Sequence, residues 1–194
     1  MKIVADEWMS LDAVVQSPTT PDEDPSGDFG YGGWHVPYFE PMAQKWILDG
    51  LVAADGYLFG RRTYEQFAAH WPTAGDEEQV VAQPLNTKPK YVASTTLRAP
   101  LAWQNSTLLD GDVSKAVAAL RDQGDGELHL IGSAELARTL IAADLVDELR
   151  LMIDPVLLGS GKRLFPDAGG LRAWHLTNSA TTPPGAILAT YTRP

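Results

Sequence analysis

The sequence predicts an α/β fold: a three-layer sandwich with a mainly parallel central sheet and an antiparallel hairpin at its C-terminal edge. Three observations carry this. Apolar strand-like runs alternate with stripes of helical period until about residue 144, after which the chain offers strands alone. Several of the early strands also end in small-residue turns that open directly into helices. Alternation implies right-handed crossovers, hence parallel strands covered by helices on both faces, whereas the closing hairpin needs antiparallel pairing. At 194 residues and 44% apolar content, one domain spanning 1–194 can bury a single substantial core.

In order along the chain, residues 2–9 read as a strand. Gln16 to Trp34 then reads as a long loop, with Pro18, Pro21, Pro25, Gly27, Gly30, Gly32 and Gly33, and its aromatics Phe29, Tyr31 and Trp34 point to a packed lid. From Pro41 to about Ala54 a helix is expected, with Met42, Ala43, Trp46, Ile47, Gly50 and Leu51 on its buried stripe. Gly56–Gly60 is a short buried strand, followed by a helix that carries Tyr64, Phe67, Ala68 and Trp71 and stops at Pro72. An acidic loop around Asp76-Glu77-Glu78 leads to a strand at 90–94 and a brief one at 107–109. Asp112 can cap a helix striped by Val113, Ala116, Val117 and Leu120, which Gly124-Asp125-Gly126 ends. The strand 127–131 runs through Gly132-Ser133 into a helix with Leu136, Ala137, Leu140 and Ile141 inward. Strands follow at 145–153, 174–180 and 186–192, the last two parted by Pro183-Pro184-Gly185.

Composition removes whole classes of function. Lys and Arg total 15 against 25 Asp and Glu, a formal net charge of −10, which disfavours nucleic acid and anionic membranes as partners. Any anionic ligand needs a local site. There are no cysteines, so disulfides, thiolate metal sites and cysteine nucleophiles are out. The N-terminal segment meets Asp6 and Glu7 too early for a signal peptide, and no run approaches the roughly 18 apolar residues of a membrane span. A cytoplasmic location is expected.

The most informative junction is Gly60-Arg61-Arg62-Thr63, where a strand becomes a helix. Glycine permits close approach of a ligand to the backbone, and the free N–H groups at a helix start favour phosphate. A solvated first turn is the competing reading. Ile131-Gly132-Ser133 is a second such turn, and Ser94-Thr95-Thr96 places hydroxyls at a third strand end. Ligands of open parallel sheets bind at the carboxyl ends of strands, so the three segments together point to a diphosphate and its ribose. Other motifs fail. Gly159-Ser160-Gly161-Lys162 lacks the earlier glycine and the Ser or Thr of a phosphate loop, and Gly30-Tyr31-Gly32-Gly33 has His35 where the third dinucleotide-binding glycine belongs. His35, His70, His129 and His175 show no metal-ligand spacing, and no metal is expected.

The order of Ser10-Leu11-Asp12, Gly32-Gly33-Trp34, Gly60-Arg61-Arg62-Thr63-Tyr64-Glu65, Tyr91-Val92-Ala93-Ser94, Ile131-Gly132-Ser133 and Pro155 to Phe165 resembles the dihydrofolate reductase family. It looks closest to the branch containing the C-terminal reductase domain of the bifunctional riboflavin-biosynthesis deaminase-reductase. The resemblance implies a dihydrofolate-reductase-like fold and NADPH as cofactor. By it, Arg61 grips the adenosine 2′-phosphate with Ser94 and Thr95 beside it, and Gly60, Arg62 and Thr63 hold the diphosphate. Ile131, Gly132, Ser133, Ala134, Glu135 and Leu136 form the second diphosphate turn, and Ala5, Val14 and Val15 border the nicotinamide. Trp34, Phe39 and Gln44 fall on the substrate side. Two departures bear on the substrate: neutral Gln44 stands where the family has a pterin-binding carboxylate, and Met152 where a supporting Thr is expected. Glu40, Asp12 and His35 remain as candidate proton donors.

The implied activity is NADPH-dependent hydride transfer to a small heterocyclic or carbonyl substrate, pyrimidine- or pterin-like. The alternative is a catalytically silent NADP(H)-binding sensor or partner protein. A homodimer is expected, because the resembled branch commonly pairs and because Leu149, Leu151 and Ile153 put much apolar surface on one strand.

Overall fold

The computed structural model describes residues 1–165 and 170–194. The chain runs β1 (Lys2–Ser10), α1 (Pro41–Ala53), β2 (Gly56–Gly60), α2 (Arg61–His70), α3 (Gln79–Thr87), β3 (Lys90–Ala93), β4 (Ser106–Leu109), α4 (Val113–Arg121), β5 (Glu127–Ile131), α5 (Ala134–Ala142), β6 (Glu148–Asp154), β7 (His175–Thr181) and β8 (Ile187–Thr192). One eight-stranded sheet has the order β4-β3-β2-β5-β1-β6-β8-β7. Every pairing from β4 through β6 is parallel, and β8 pairs antiparallel with β6 and β7.

The sheet is covered on both faces, as the alternating pattern requires. On one face Val117 and Leu120 of α4 and Leu136, Ala137 and Leu140 of α5 pack on Ile3, Ala5, Leu128, Leu130, Leu149 and Leu151. On the other, Leu51 of α1, Tyr64 of α2 and Leu85 of α3 pack on Tyr57, Phe59 and Val92. Burying side chains of this size contributes about 1.5–3 kcal/mol each, which is what fixes three layers. The Asp112 side chain accepts from the Lys115 N–H at 3.0 Å and starts α4, while Pro72 lies in the short 3-10 turn just beyond the end of α2.

Four expectations need correction. Helix α3 falls where the sequence reads as loop; Pro84 sits inside it, and a proline six residues in normally bars a helix. Here the carbonyl that Pro84 leaves unbonded belongs to exposed Val80, and Ala82, Pro84 and Leu85 are buried instead. Met42 points outward at 44% exposure, off the buried stripe of α1. Strand β6 starts at Glu148, because Leu145 donates back to Leu140 O at 2.9 Å and closes α5 first. Finally, β6 is an interior strand between β1 and β8, so Leu149 and Leu151 are spent on the core and offer no dimer surface. The outer strand on that side is β7, exposed at all seven residues. Among the described residues no helix is long and apolar enough to cross a membrane.

Candidate functional site

Strands β3, β2 and β5 are neighbours, so their carboxyl ends bring the Ser94, Gly60 and Gly132 turns to one edge of the sheet. Two of these turns are knotted together. The Gly60 N–H donates to Ser133 Oγ at 2.8 Å, and that hydroxyl donates to Thr63 Oγ1 at 2.8 Å. Gly132 (φ +57°) and Ser133 (φ +61°) are both left-handed. Ser133 accepts a conformation that costs a non-glycine residue energy, and the two hydroxyl contacts offset it. A Cβ on Gly60 would sit 3.3 Å from the Ser133 side chain, so glycine permits the approach. No side chain caps the first turn of α2 or α5. Two helix starts thus present free N–H groups to one place, the arrangement that binds phosphate.

The side chains around this cradle are already engaged. Arg61 folds back along α2 to Glu65 at 2.7 Å. Pairs of this exposed i,i+4 kind contribute about 0.3–0.5 kcal/mol and yield readily to a phosphate. Ser94 Oγ accepts from the N–H groups of Thr96 and Leu97 at 3.1 and 3.0 Å, forming its own turn, while Thr95 is exposed. Glu135 is exposed and Ala134 half-buried at the α5 start, and Ile131 packs toward α2. Arg62 is held by Asp24, whose same oxygen takes Lys162 Nζ. Burial works against ionisation of Asp24, but Lys162 and Ser26 outweigh it and hold its carboxyl below the usual range.

Asp24 belongs to the 16–34 loop, which is a packed strap. Gln16 Nε2 donates to the Asp24 and Ser26 carbonyls at 2.8 Å each, and Gln16 Oε1 accepts from the Lys162 N–H at 3.0 Å. Phe29 and Trp34 bury with Val14 against Val156 and Leu158. A Cβ on Gly161 would lie 2.7 Å from Phe29 and Val14, so this seat also depends on glycine. Trp34 is therefore interior to the strap, its indole donating to Gln16 O at 2.8 Å, rather than a wall of the substrate side. Val14 and Ala5 have no exposure, and Ala5 lies mid-strand opposite Leu130, so their side chains offer no open surface, whereas Val15 is only partly buried. Leu136 likewise turns its side chain into the core and offers only its N–H.

The three proton-donor candidates separate by what already binds them. Asp12 accepts from Ser10 Oγ at 2.7 Å and from the Leu158 and Gly159 N–H groups at 3.1 and 2.9 Å. Burial pushes its carboxyl up, but these donors win and draw it down to about 2, so it carries no proton to give at neutral pH. Glu40 caps α1, accepting from the Met42 and Ala43 N–H groups at 3.1 and 2.9 Å. Both are structural, which corrects their candidacy. His35 differs. It is 1% exposed, its Nδ1–H donates to Asp154 Oδ2 at 2.8 Å, and Nε2 has no partner among the described residues. The imidazole stacks on Trp8 at 4.4 Å, and Phe39, 45% exposed, lies 5.8 Å away as the outer ring of the group. Gln44 is exposed on α1 with no side-chain partner among the described residues.

Several groups near the strand ends carry no local signal in the sequence. Asp154, at the end of β6, is buried beside His35; desolvation pushes its carboxyl up, and the imidazole opposes that. On the α1 face Asp6 joins Arg150 at 2.7 Å and His129 at 2.7 Å, and Arg150 continues to Trp46 O at 2.6 Å and stacks over the Trp46 ring at 4.2 Å. Burial lowers the His129 pKa, but Asp6 and Glu127 prevail and raise it. Glu7 is fully enclosed on the opposite face. Among the described residues no group of three or more His, Asp or Glu could hold a metal ion.

Comparison with known proteins adds the family context. A family model described as the RibD C-terminal domain matches residues 1–188. Uncharacterized protein YyaP of Bacillus subtilis (strain 168) is 30% identical over 147 residues, covering 75% of this chain and 77% of the relative. Uncharacterized protein YwjB of the same organism is 26% identical over 129 residues, covering 66% and 67%. A putative riboflavin biosynthesis protein from Shewanella sp. PV-4 superposes with a TM-score of 0.70 at 21% identity, over 100% of this chain and 99% of the other. A pyrimidine reductase-like protein from Corynebacterium diphtheriae NCTC gives 0.67 at 13% identity, over 98% and 91%.

Proposed function

Because this chain belongs to the RibD C-terminal domain family, we propose that it is an NADPH-dependent reductase acting on a small heterocyclic or carbonyl substrate. The observation that carries the reading is the Gly60–Ser133–Thr63 knot, which joins two uncapped helix starts at the carboxyl edge of a parallel sheet. The residues present fit a dinucleotide: glycine where the backbone must be approached, free N–H groups, and two arginines each held by one carboxylate, exposed Glu65 and half-buried Asp24. Arg61 takes the 2′-phosphate, and Gly60, Arg62, Thr63, Gly132 and Ser133 take the diphosphate. When bound, the cofactor supplies hydride to an electrophilic carbon of the substrate.

The chain's own contribution is orientation, exclusion of water and a proton for the neighbouring heteroatom. His35 supplies that proton from Nε2, since it alone of the three candidates keeps an unengaged titratable atom. Asp154 holds Nδ1 and so orients the ring for transfer from Nε2. The aromatic faces of Trp8 and Phe39 beside it suit a planar substrate, and Phe39 is the ring such a substrate reaches first. With Gln44 neutral and exposed, no carboxylate holds a pterin, so dihydrofolate is a poor substrate.

Titration with NADPH followed by oxidation assays over heterocyclic acceptors tests this. The expected result is saturable NADPH binding and turnover with at least one such acceptor, with dihydrofolate below about 10⁴ M⁻¹s⁻¹ in kcat/KM. The second reading, a silent NADP(H)-binding sensor, draws on the clasp of Arg62 and Lys162 by Asp24 and on the enclosure of His35 Nε2. Binding without consumption across the acceptor series selects it. We also propose a homodimer through the exposed outer strand β7, where main-chain groups await a partner strand. Light scattering is expected to give about twice the 21.0 kDa chain mass, and a mass near 21.0 kDa refutes it.

A further inference from the structure

We propose that Lys162 is a second cation of the diphosphate site, and that Asp24 is a built-in competitor whose carboxylate holds Lys162 and Arg62 until the ligand's phosphates displace it. This rests on the dinucleotide reading given above and adds to it one residue and one means of regulation. Lys162 Nζ and Arg62 Nη1 both bond the same Asp24 oxygen, Oδ2. The two positive groups therefore lie no more than two hydrogen-bond lengths apart. Neither side chain has another partner among the described residues, and both are open to solvent, Arg62 at 58% and Lys162 at 39%. Arg62 is the second residue of α2, whose first turn no side chain caps. Helical side chains lean toward the N-terminal end, so the pair of cations stands beside the free N–H groups of that turn.

Both partners are held in place by their own backbones. Lys162 closes a turn in which Gly159 (φ +73°) and Gly161 (φ +110°) are left-handed, and its N–H donates to Gln16 Oε1 at 3.0 Å. The Asp24 carbonyl accepts from Gln16 Nε2 at 2.8 Å and Ser17 Oγ at 3.0 Å, and the Asp24 N–H donates to Ser17 Oγ at 2.8 Å. Gln66, one turn beyond Arg62, donates to the Glu23 carbonyl at 2.7 Å. The strap is thus anchored by its main chain, and Asp24 Oδ2 serves the two cations alone. Charge decides what can replace it. One carboxylate brings a single negative charge to two positive ones, and crowding two cations onto one oxygen leaves a local surplus in a chain of net charge −10. Burial pushes the Asp24 carboxyl up, but Lys162 and Ser26 outweigh it and hold it below the usual range, so protonation does not open the clasp near neutral pH. A stronger anion does. A diphosphate carries two charges on several oxygens and takes the N–H groups of the helix starts as well, while ion pairs this open to solvent yield readily.

Calorimetric titration of the full chain with NADPH and with inorganic pyrophosphate, in wild type and four variants, tests this. Lys162→Gln is expected to weaken both probes about tenfold, and Asp24→Asn to tighten both by a similar factor. In the double variant the gain from Asp24→Asn shrinks, because the carboxylate then has one cation fewer to release. Asp22→Asn removes the same charge two residues away, from an exposed side chain with no partner among the described residues, and should change neither affinity by more than about twofold. Thermal melts establish that each variant folds, and Lys162→Gln reads the site independently of the strap. Weaker or unchanged binding in Asp24→Asn, or an equal gain in Asp22→Asn, overturns Asp24 as the competitor. Unchanged binding in Lys162→Gln overturns Lys162 as a phosphate ligand. Both of those results leave the dinucleotide reading intact where wild type binds NADPH. If neither wild type nor Asp24→Asn binds NADPH, the dinucleotide reading falls and this inference with it.

Discussion

The two sides of the strand ends are built by different means. Toward α2 and α5 the site is made of backbone: Gly60, Gly132 and Ser133 bend the chain, and two helix starts supply the N–H groups. Toward α1 it is made of side chains gathered from distant places, with Trp8, His35 and Asp154 packed together under a partly exposed Phe39. A backbone site tolerates changes in surrounding side chains, because its donors belong to the turn itself. A side-chain site depends on every member, and buried members most of all. The α1 side should therefore break in stability when mutated, and the α2–α5 side in affinity.

The largest effect is expected at Asp154. Asp154→Ala leaves His35 buried beside an empty acceptor position, and removing one partner of a buried pair typically costs about 3–5 kcal/mol. Urea unfolding measures it. The double change His35→Phe with Asp154→Ala should recover part of the loss, because no polar atom is then stranded. A loss below about 1 kcal/mol in the single variant would show that the pair is not the structural centre of that side.

The next effect is a pH dependence at Glu7. Its folded pKa is raised to about 8 from 4.5, so the folded chain holds a proton there that the unfolded chain has released. Unfolding free energy therefore falls as pH rises from about 4.5 to about 8, and is flat in this group's contribution outside that window. Glu7→Gln should remove this slope and raise stability at pH 7 by a few kcal/mol. His129 has the opposite charge type: its pKa is raised by Asp6 and Glu127 against burial, so its stabilisation is complete below its unfolded value and is lost as pH climbs through the folded one. Comparing Glu7→Gln with His129→Gln separates the two slopes, and an unchanged slope in Glu7→Gln would contradict the enclosed neutral acid.

The same division explains what the sequence made legible. Strand-to-helix turns at Gly60 and Gly132 are local events that small residues announce, and the alternation of strands and helices announces the sheet on which they lie. The pairing of His35 with Asp154 joins residues far apart in sequence, and no spacing rule connects them. Asp12 and Glu40 show a further limit. A carboxylate at a turn or helix start serves equally as cap and as acid, and only the N–H groups aimed at it decide between the two. Helix α3 was hidden by Pro84, whose cost is met by burial of its own turn. The partner of Arg61 is local, Glu65 at i+4, a spacing that any helix start with Arg and Glu one turn apart supplies.

The central claim is that the backbone-built side holds a 2′-phosphorylated dinucleotide, and parallel titrations of NADPH and NADH into wild type and Arg61→Ala test it most directly. Wild type should bind NADPH saturably and NADH more weakly. Arg61→Ala should lose roughly 10- to 100-fold in NADPH affinity, about 1.5–3 kcal/mol, with little change for NADH. Equal losses for both cofactors, or no saturable binding of NADPH to wild type up to about 1 mM, where binding free energy is only about −4 kcal/mol, would contradict the claim.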